Sequence, residues 1–294
     1  MIEHLESGCG VMVLGIMQDA GLPHIGCTCP RCAAAFAGKR QTEYAAALAV
    51  VDRRGGETAV WLIDATPDIK FQLNLLAPLL PHPVRPQRLR PPDGIFLTHA
   101  HLGHIGGLPQ LGPEAMDAAP LPVYAPPALC RLLAEAAIWR PAVQRFNLTP
   151  LAAGETITLA PDLTITPHPV PHRDEWQAGT YAYEIRGPGR SLFYLPDIDA
   201  WELWPEAADR FAAVDAVLLD GSFYNVDELH GRTPAAHPLI SDTLNRFADL
   251  PTQLYFTHIN HTNPILDKDS PQRQHLLAAG ADVAFTGQTF VLTP

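Results

Sequence analysis

Three histidines fall within six residues of one another, at His99, His101 and His104. The apolar run 94–97 precedes them, so the group follows a buried strand. Residues two apart on extended backbone point to the same side, and a helix start after His101 turns His104 inward as well. Imidazoles are common metal ligands, and burying three of them without a partner costs free energy. The pattern therefore predicts a metal centre.

A second group of metal-binding residue types lies earlier, at Cys27, Cys29 and Cys32. Cys27 and Cys29 are too close along the chain for an unstrained disulfide, and three thiols at this spacing suit a tetrahedral thiolate site. The fourth ligand must be a His or Cys from another part of the chain. We predict a structural zinc ion. A redox cluster is the alternative, but no thioredoxin-like βαβ pattern surrounds these cysteines.

Composition and length limit the class of protein. The chain has 294 residues, of which 47% are hydrophobic, enough for a sizeable core. Its net charge of −11 argues against a nucleic-acid partner, because phosphate contacts need Lys and Arg. No apolar run approaches the roughly 20 residues of a membrane span, and the N-terminus lacks the layout of a secretion signal. We expect a cytoplasmic protein with a small-molecule substrate and no membrane partner; a homodimer is one option for its oligomeric state.

The elements that must position these residues appear as apolar runs bounded by turn residues. Predicted strands precede three further candidate residues: Asp64 follows 58–63, Asp197 follows 191–195, and His258 follows 254–257. The remaining predicted elements are strands at 11–16, 44–52, 121–124, 180–185 and 214–219, a hairpin of 156–159 with 163–166, and helices over 69–80 and 128–138. Asp199 is predicted to cap a helix that begins near Trp201.

Residues 98–108 resemble the His-x-His-x-Asp-His signature of the metallo-β-lactamase fold, except that Gly103 stands where the family usually has Asp. The resemblance implies an α/β protein, a four-layer αβ/βα sandwich with a one- or two-metal site at one edge of two facing sheets. The chain is then a single domain of this kind over 1–294, with a Cys-rich zinc-binding insertion at about 17–40. The resemblance also implies that Asp64 braces the His-rich loop, and an N-cap role for Asp64 or Thr66 is compatible with this.

The same resemblance assigns metal ligands. It implies a histidine about seventy residues past the cluster, which is His172, with His168 as the alternative. The ligands of the first site are then His99, His101, His172 and a bridging carboxylate, Asp197. Those of the second site are His104, His258 and the same Asp197. Water or a nearby group such as Asp19 would have to complete the second site. We expect one or two divalent ions, Zn²⁺, Mn²⁺ or Fe²⁺, so a single-metal enzyme is the alternative.

Three other stretches, 27–32, 220–238 and 257–264, resemble the coenzyme PQQ synthesis protein B group. In the phosphonate-pathway phosphodiesterases of the same fold, a His-x-x-His in the last of these stretches serves both metal centres. By that resemblance His258 belongs to the active site, and His261 completes the zinc site of the three cysteines. The candidate substrate-binding residues are Asp19, His24 and His237.

These assignments give three hypotheses of function. The first is a metal-dependent hydrolase, in which a metal-activated water attacks an ester, lactone or phosphodiester bond and Asp197 orients or deprotonates that water. The second, motivated by the PQQ resemblance, is an iron-dependent oxygenase in quinone-cofactor synthesis. The third is a non-catalytic carrier that uses the fold as a pocket.

Overall fold

Fourteen strands and eight α-helices make up residues 7–294, the part of the chain that the computed structural model describes. The strands are β1 Cys9–Gly15, β2 Ala47–Asp52, β3 Ala59–Ile63, β4 Gly94–Phe96, β5 Leu121–Ala125, β6 Phe146–Pro150, β7 Ile157–Ala160, β8 Leu163–Val170, β9 Thr180–Arg186, β10 Ser191–Leu195, β11 Ala216–Asp220, β12 Gln253–Thr257, β13 Asp282–Val283 and β14 Thr289–Val291. The helices are α1 Pro30–Phe36, α2 Ile69–Leu75, α3 Leu102–Ile105, α4 Pro127–Glu135, α5 Arg140–Val143, α6 Ala207–Ala212, α7 Ile240–Arg246 and α8 Pro271–Ala278. None of these helices combines the length and the apolar character that crossing a lipid bilayer requires.

The strands form two mixed sheets of seven strands each, in the orders β14-β1-β2-β3-β4-β5-β6 and β13-β12-β11-β10-β9-β8-β7. In the first sheet β1, β2 and β3 pair antiparallel, and β3 to β6 pair parallel. The second sheet repeats this pattern, with β8, β9 and β10 antiparallel and β10 to β13 parallel. Because β14 pairs antiparallel with β1, it forms one edge of the first sheet.

Side chains of the first sheet alternate between two hydrophobic cores. On β1, Val11 and Val13 belong to the core shared with the second sheet, whereas Met12 and Leu14 belong to the core covered by α2 and α4. The shared core extends through the second sheet to Phe211 of α6 and its neighbours. The resulting order of helices, sheet, sheet and helices confirms the four-layer αβ/βα sandwich.

Two predicted helices end earlier than expected. The helix over 69–80 is α2, which ends at Leu75 and is followed by a 3₁₀ turn, because Pro78 lacks the N–H that would continue an α-helix. The helix over 128–138 is α4, which ends at Glu135, since Ala136 takes an extended conformation. The hairpin of β7 and β8 is confirmed, and β2 begins at Ala47 rather than at 44.

Candidate metal centre

Polar side chains gather where the parallel strands of both sheets end. These residues are Asp64 after β3, Thr98 and His99 after β4, Asp197 after β10, Asp220 at the end of β11, and His258 after β12. The carboxyl ends of parallel strands in one sheet share an edge, and in α/β proteins this edge is the usual place for ligands. Because the two sheets face each other, their edges bring these side chains into one cleft.

The first group of ligand atoms in this cleft comes from His99, His101 and His172, whose ring nitrogens lie within 4.8 Å of one another. Nδ1 of His101 lies 2.9 Å from Nε2 of His99 and 3.3 Å from Nε2 of His172. Burial lowers the pKa values of His99 and His172, and neighbouring imidazoles lower them further. Both rings therefore stay neutral near pH 7, which is the form that binds a metal.

The second group comprises Asp19, His104 and His258, again with ligand atoms within 4.8 Å of one another. Oδ1 of Asp19 lies 3.6 Å from Nε2 of His104 and 3.8 Å from Nε2 of His258. Burial raises the pKa of Asp19, but the nearby imidazoles of His258 and His104 outweigh burial and bring it to about 2. Asp19 is therefore a carboxylate at neutral pH.

Asp197 lies between the two groups. Its Oδ1 is 3.6 Å from Nε2 of His172 in the first group, and its Oδ2 is 3.1 Å from Nε2 of His104 and 3.4 Å from Nε2 of His258 in the second. Burial raises the pKa of Asp197, but the surrounding imidazoles, His258 foremost, hold it well below its ordinary value. One carboxylate thus faces both sets of imidazoles.

These residues fit one or two divalent ions. Within residues 7–294, the buried atoms Oδ2 of Asp197 and Nε2 of His258 make no hydrogen bond. A buried carboxylate oxygen in that condition is costly unless a cation satisfies it. Imidazole nitrogens together with carboxylate oxygens suit zinc, manganese and ferrous iron, so the donor set supports a divalent metal without selecting its identity.

Asp64 holds the His-rich loop in place. Its carboxylate accepts hydrogen bonds from the backbone N–H of Thr98 at 2.8 Å and from the Thr98 hydroxyl, and lies 2.7 Å from Nδ1 of His104. Burial lowers the pKa of His104, but the Asp64 and Asp197 carboxylates raise it well above its ordinary value. The loop packs closely, because a Cβ at Gly107 would lie 2.1 Å from the Thr66 carbonyl oxygen.

The three cysteines and His261 form a separate cluster, with their ligand atoms within 4.8 Å of one another. Nδ1 of His261 lies 3.9 Å from Sγ of Cys27, 3.9 Å from Sγ of Cys29 and 3.5 Å from Sγ of Cys32. Zinc bonds of about 2.1 Å to nitrogen and 2.3 Å to sulfur place tetrahedral ligands about 3.6 Å apart. The cluster therefore fits a structural zinc ion, with the late His261 as the fourth ligand.

Comparison with known proteins places this site in a family. Residues 61–259 match the family model described as "Beta-lactamase superfamily domain". The chain belongs to the beta-lactamase superfamily. Coenzyme PQQ synthesis protein B of Cupriavidus necator is 30% identical and that of Pseudomonas fluorescens 28% identical, in each case over 96% of this chain and 99% of the relative. The chain is thus a homologue of coenzyme PQQ synthesis protein B.

Solved structures agree with this family. The Zn²⁺-bound PqqB from Methylobacterium extorquens superposes with a TM-score of 0.80 at 26% identity, covering 96% of this chain and 99% of that one. A diphosphatase of the PhnP family superposes with a TM-score of 0.70 at 22% identity, covering 96% of each chain. The first is a homologue in sequence and fold, and the second shares the fold.

One part of this superfamily member's site was missed by the sequence reasoning. Asp220 lies 2.7 Å, through its Oδ2, from Nδ1 of His237, whose Nδ1 is also 3.8 Å from Oδ1 of Asp197. Burial lowers the pKa of His237, but the Asp220 carboxylate outweighs burial and raises it to about 9. The sequence did contain a signal for Asp220, because this residue ends the buried strand β11, much as Asp197 follows the buried strand β10. His237 itself was predicted as a substrate-binding residue, and it lies at the rim of the cleft.

Other predicted residues lie elsewhere or act differently. His168, the alternative to His172, lies on β8 with its Nε2 3.2 Å from Glu184, away from the histidine cluster. The ring of His24 lies 4.6 Å from that of His261, so the structure places it beside the cysteine cluster.

The prediction that Asp199 caps a helix is wrong. Asp199 accepts hydrogen bonds from Arg173 and lies 3.2 Å from Nδ1 of His172, a charged environment that competes with capping.

The N-cap role suggested for Asp64 or Thr66 is also wrong, because α2 begins after Asp68. The Asp64 carboxylate instead accepts hydrogen bonds from Thr98 and contacts Nδ1 of His104. Thr66 accepts a hydrogen bond from the backbone N–H of Asp68 and donates one to Gln72, so it shapes the turn that leads into the helix.

Proposed function

We propose that this superfamily member is a two-metal hydrolase of ester, lactone or phosphodiester bonds. The observation that carries the proposal is the position of Asp197, with Oδ1 3.6 Å from His172 of one histidine group and Oδ2 3.1 Å from His104 of the other. A carboxylate that faces two sets of imidazoles is the arrangement that a bridged pair of ions requires.

In this proposal each residue of the cleft has a distinct role. His99, His101 and His172 would hold one ion, and His104 and His258 would hold the other. Bound divalent ions lower the pKa of a coordinated water toward neutrality and polarise the oxygen of the scissile bond. Asp197 accepts a hydrogen bond from the attacking water and orients it. Asp64 keeps the His-rich loop in register during this step.

His237 and the cavity beside it suit an anionic oxygen of the substrate. Its Nδ1 is engaged by Asp220, so Nε2 is the ring nitrogen that a substrate oxygen would meet. A cavity of about 400 Å³ adjoins His237 and is lined in part by Phe223, Leu229 and Arg232. Apolar walls with one arginine favour a small substrate that carries a hydrocarbon portion and a negative group.

The test is hydrolysis by the purified protein loaded with zinc or manganese. Chromogenic phosphodiester, lactone and carboxylic ester substrates are assayed with the wild type and with Asp197→Asn, and the exposed Asp209→Asn on α6 is the matched control. We expect turnover of at least one class, a loss of at least about a hundredfold in Asp197→Asn, and none in the control. Inactivity on all three classes with two ions bound would contradict a hydrolase.

The homology to coenzyme PQQ synthesis protein B, 30% identity with the Cupriavidus necator protein over 96% of this chain, supports a second candidate, an iron-dependent oxygenase in quinone-cofactor synthesis. A set of imidazoles with one carboxylate suits ferrous iron as well as zinc. Oxygen consumption by the iron-loaded protein with a tyrosine-derived quinone precursor would favour this candidate. Zinc as the metal of the protein isolated from cells, together with ester turnover, would exclude it.

A further inference from the structure

Asp19 fills the place of the side chain that position 103 lacks. A Cβ atom built on Gly103 would lie 2.0 Å from Oδ1 of Asp19 and 2.4 Å from its Cγ. Gly103 lies inside α3, where any residue adopts the backbone conformation, so the helix does not itself require glycine. What excludes a larger residue there is the Asp19 carboxylate. The two positions therefore compete for one volume.

The loop that carries Asp19 is fastened to the strand end that carries His258. The backbone N–H of Gln18 donates to the Ile259 carbonyl at 3.1 Å, and its side chain donates to Ser222 at 2.9 Å. The Asn260 amide in turn donates to Oε1 of Gln18 at 2.6 Å. These bonds fasten Gln18, the residue next to Asp19, to the loops after β11 and β12 of the second sheet. The Asp19 carboxylate is therefore positioned by the fold although its side chain is 55% exposed.

We propose that Asp19 is the carboxylate ligand that completes the second metal position, supplied from the loop after β1 instead of from the His-rich loop. The proposal rests on the two-metal centre proposed above, but not on the reaction that the centre catalyses. It accounts for Gly103 and Asp19 together. A carboxylate lies where a side chain at position 103 would be, but it belongs to a loop more than eighty residues earlier in the sequence.

The experiment moves the carboxylate between its two attachment points. Asp19→Ala removes it, and Asp19→Ala combined with Gly103→Asp returns it from α3 into the vacated volume. Asp19→Ala combined with Gly103→Ala is the matched control, which fills the volume without charge. Metal content by elemental analysis and stepwise zinc and manganese affinity by calorimetry are measured without substrate. Retained zinc at the cysteine cluster and an unchanged circular dichroism spectrum report that each variant is folded.

We expect Asp19→Ala to weaken the second ion by at least about tenfold, and the Asp19→Ala/Gly103→Asp variant to recover most of that affinity. The Asp19→Ala/Gly103→Ala control should stay as weak as Asp19→Ala. Unchanged affinity for the second ion in Asp19→Ala, or equal affinities in the two double variants, overturns the assignment of Asp19 as a ligand. Neither result bears on the two-metal centre. A wild type that binds one ion in the cleft overturns both this assignment and the two-metal centre. Absence of hydrolysis with both ions bound bears only on the proposed reaction.

Discussion

The Asp64 carboxylate lies 2.7 Å from Nδ1 of His104, so the ring nitrogen that faces the cleft is Nε2. The same carboxylate accepts the backbone N–H of Thr98, one residue before His99. A single residue after β3 therefore orients one candidate ligand, His104, directly and two others, His99 and His101, through the backbone of their loop. Such partners behind a metal ligand set both its tautomer and its basicity.

Asp64→Asn should weaken metal binding in the cleft by about 10–100-fold, because an amide accepts weakly and offers an N–H where Nδ1–H must be accommodated. Affinity is measured by competition with a chromogenic chelator. Asp162→Asn is the matched control: Asp64 and Asp162 both have a positive φ, 70° and 57°, which Asn tolerates, and Asp162 is exposed. Equal affinities in the two variants would contradict the bracing role of Asp64.

Cys32→Ser should lower the zinc content of the protein by one ion and lower its melting temperature, because an ion held by the cluster would join the start of α1 to the loop after β12. The matched control is Cys130→Ser, which alters a buried cysteine outside the cluster. Zinc content and thermal unfolding are compared in the two variants and the wild type. The prediction fails if Cys32→Ser keeps its full zinc content or if Cys130→Ser loses as much.

A partly buried hydrogen bond between His168 on β8 and Glu184 on β9 should make stability depend on pH. The hydrogen bond with His168 lowers the pKa of Glu184, burial opposes this, and Arg186 adds to it. Because the folded-state pKa lies below the unfolded value of about 4.3, the stabilisation is present above that pH and is lost as pH falls through the folded pKa.

Glu184→Gln should therefore lower the free energy of unfolding at pH 7 by about 1 kcal/mol, with the difference from wild type shrinking toward pH 3. Urea denaturation across this range is the measurement, and the exposed Glu206→Gln is the control. A difference that is constant or grows on acidification would show that the Glu184 carboxylate is not its source.

Local patterns in the sequence determined much of this protein. Apolar runs bounded by turn residues predicted most strands of the two sheets, because such runs and the turns that end them are local features of the chain. That the residues after four of these strands, Asp64, His99, Asp197 and His258, come together in one cleft was implied by the resemblance to the metallo-β-lactamase fold. The spacing of the three cysteines likewise predicted a metal site, and the structure brings His261 to the same cluster.

The tertiary structure decided several contacts that neither the local patterns nor the family resemblance had given. Asp19 enters the volume beside Gly103, Asp220 pairs with His237, and Asp199 turns toward Arg173 and His172 instead of capping a helix. Each of these contacts joins loops whose course depends on how the two sheets pack. Residue type and periodicity describe neighbours along the chain, whereas a contact between loops depends on the packing of the whole domain, so only the folded structure could show them.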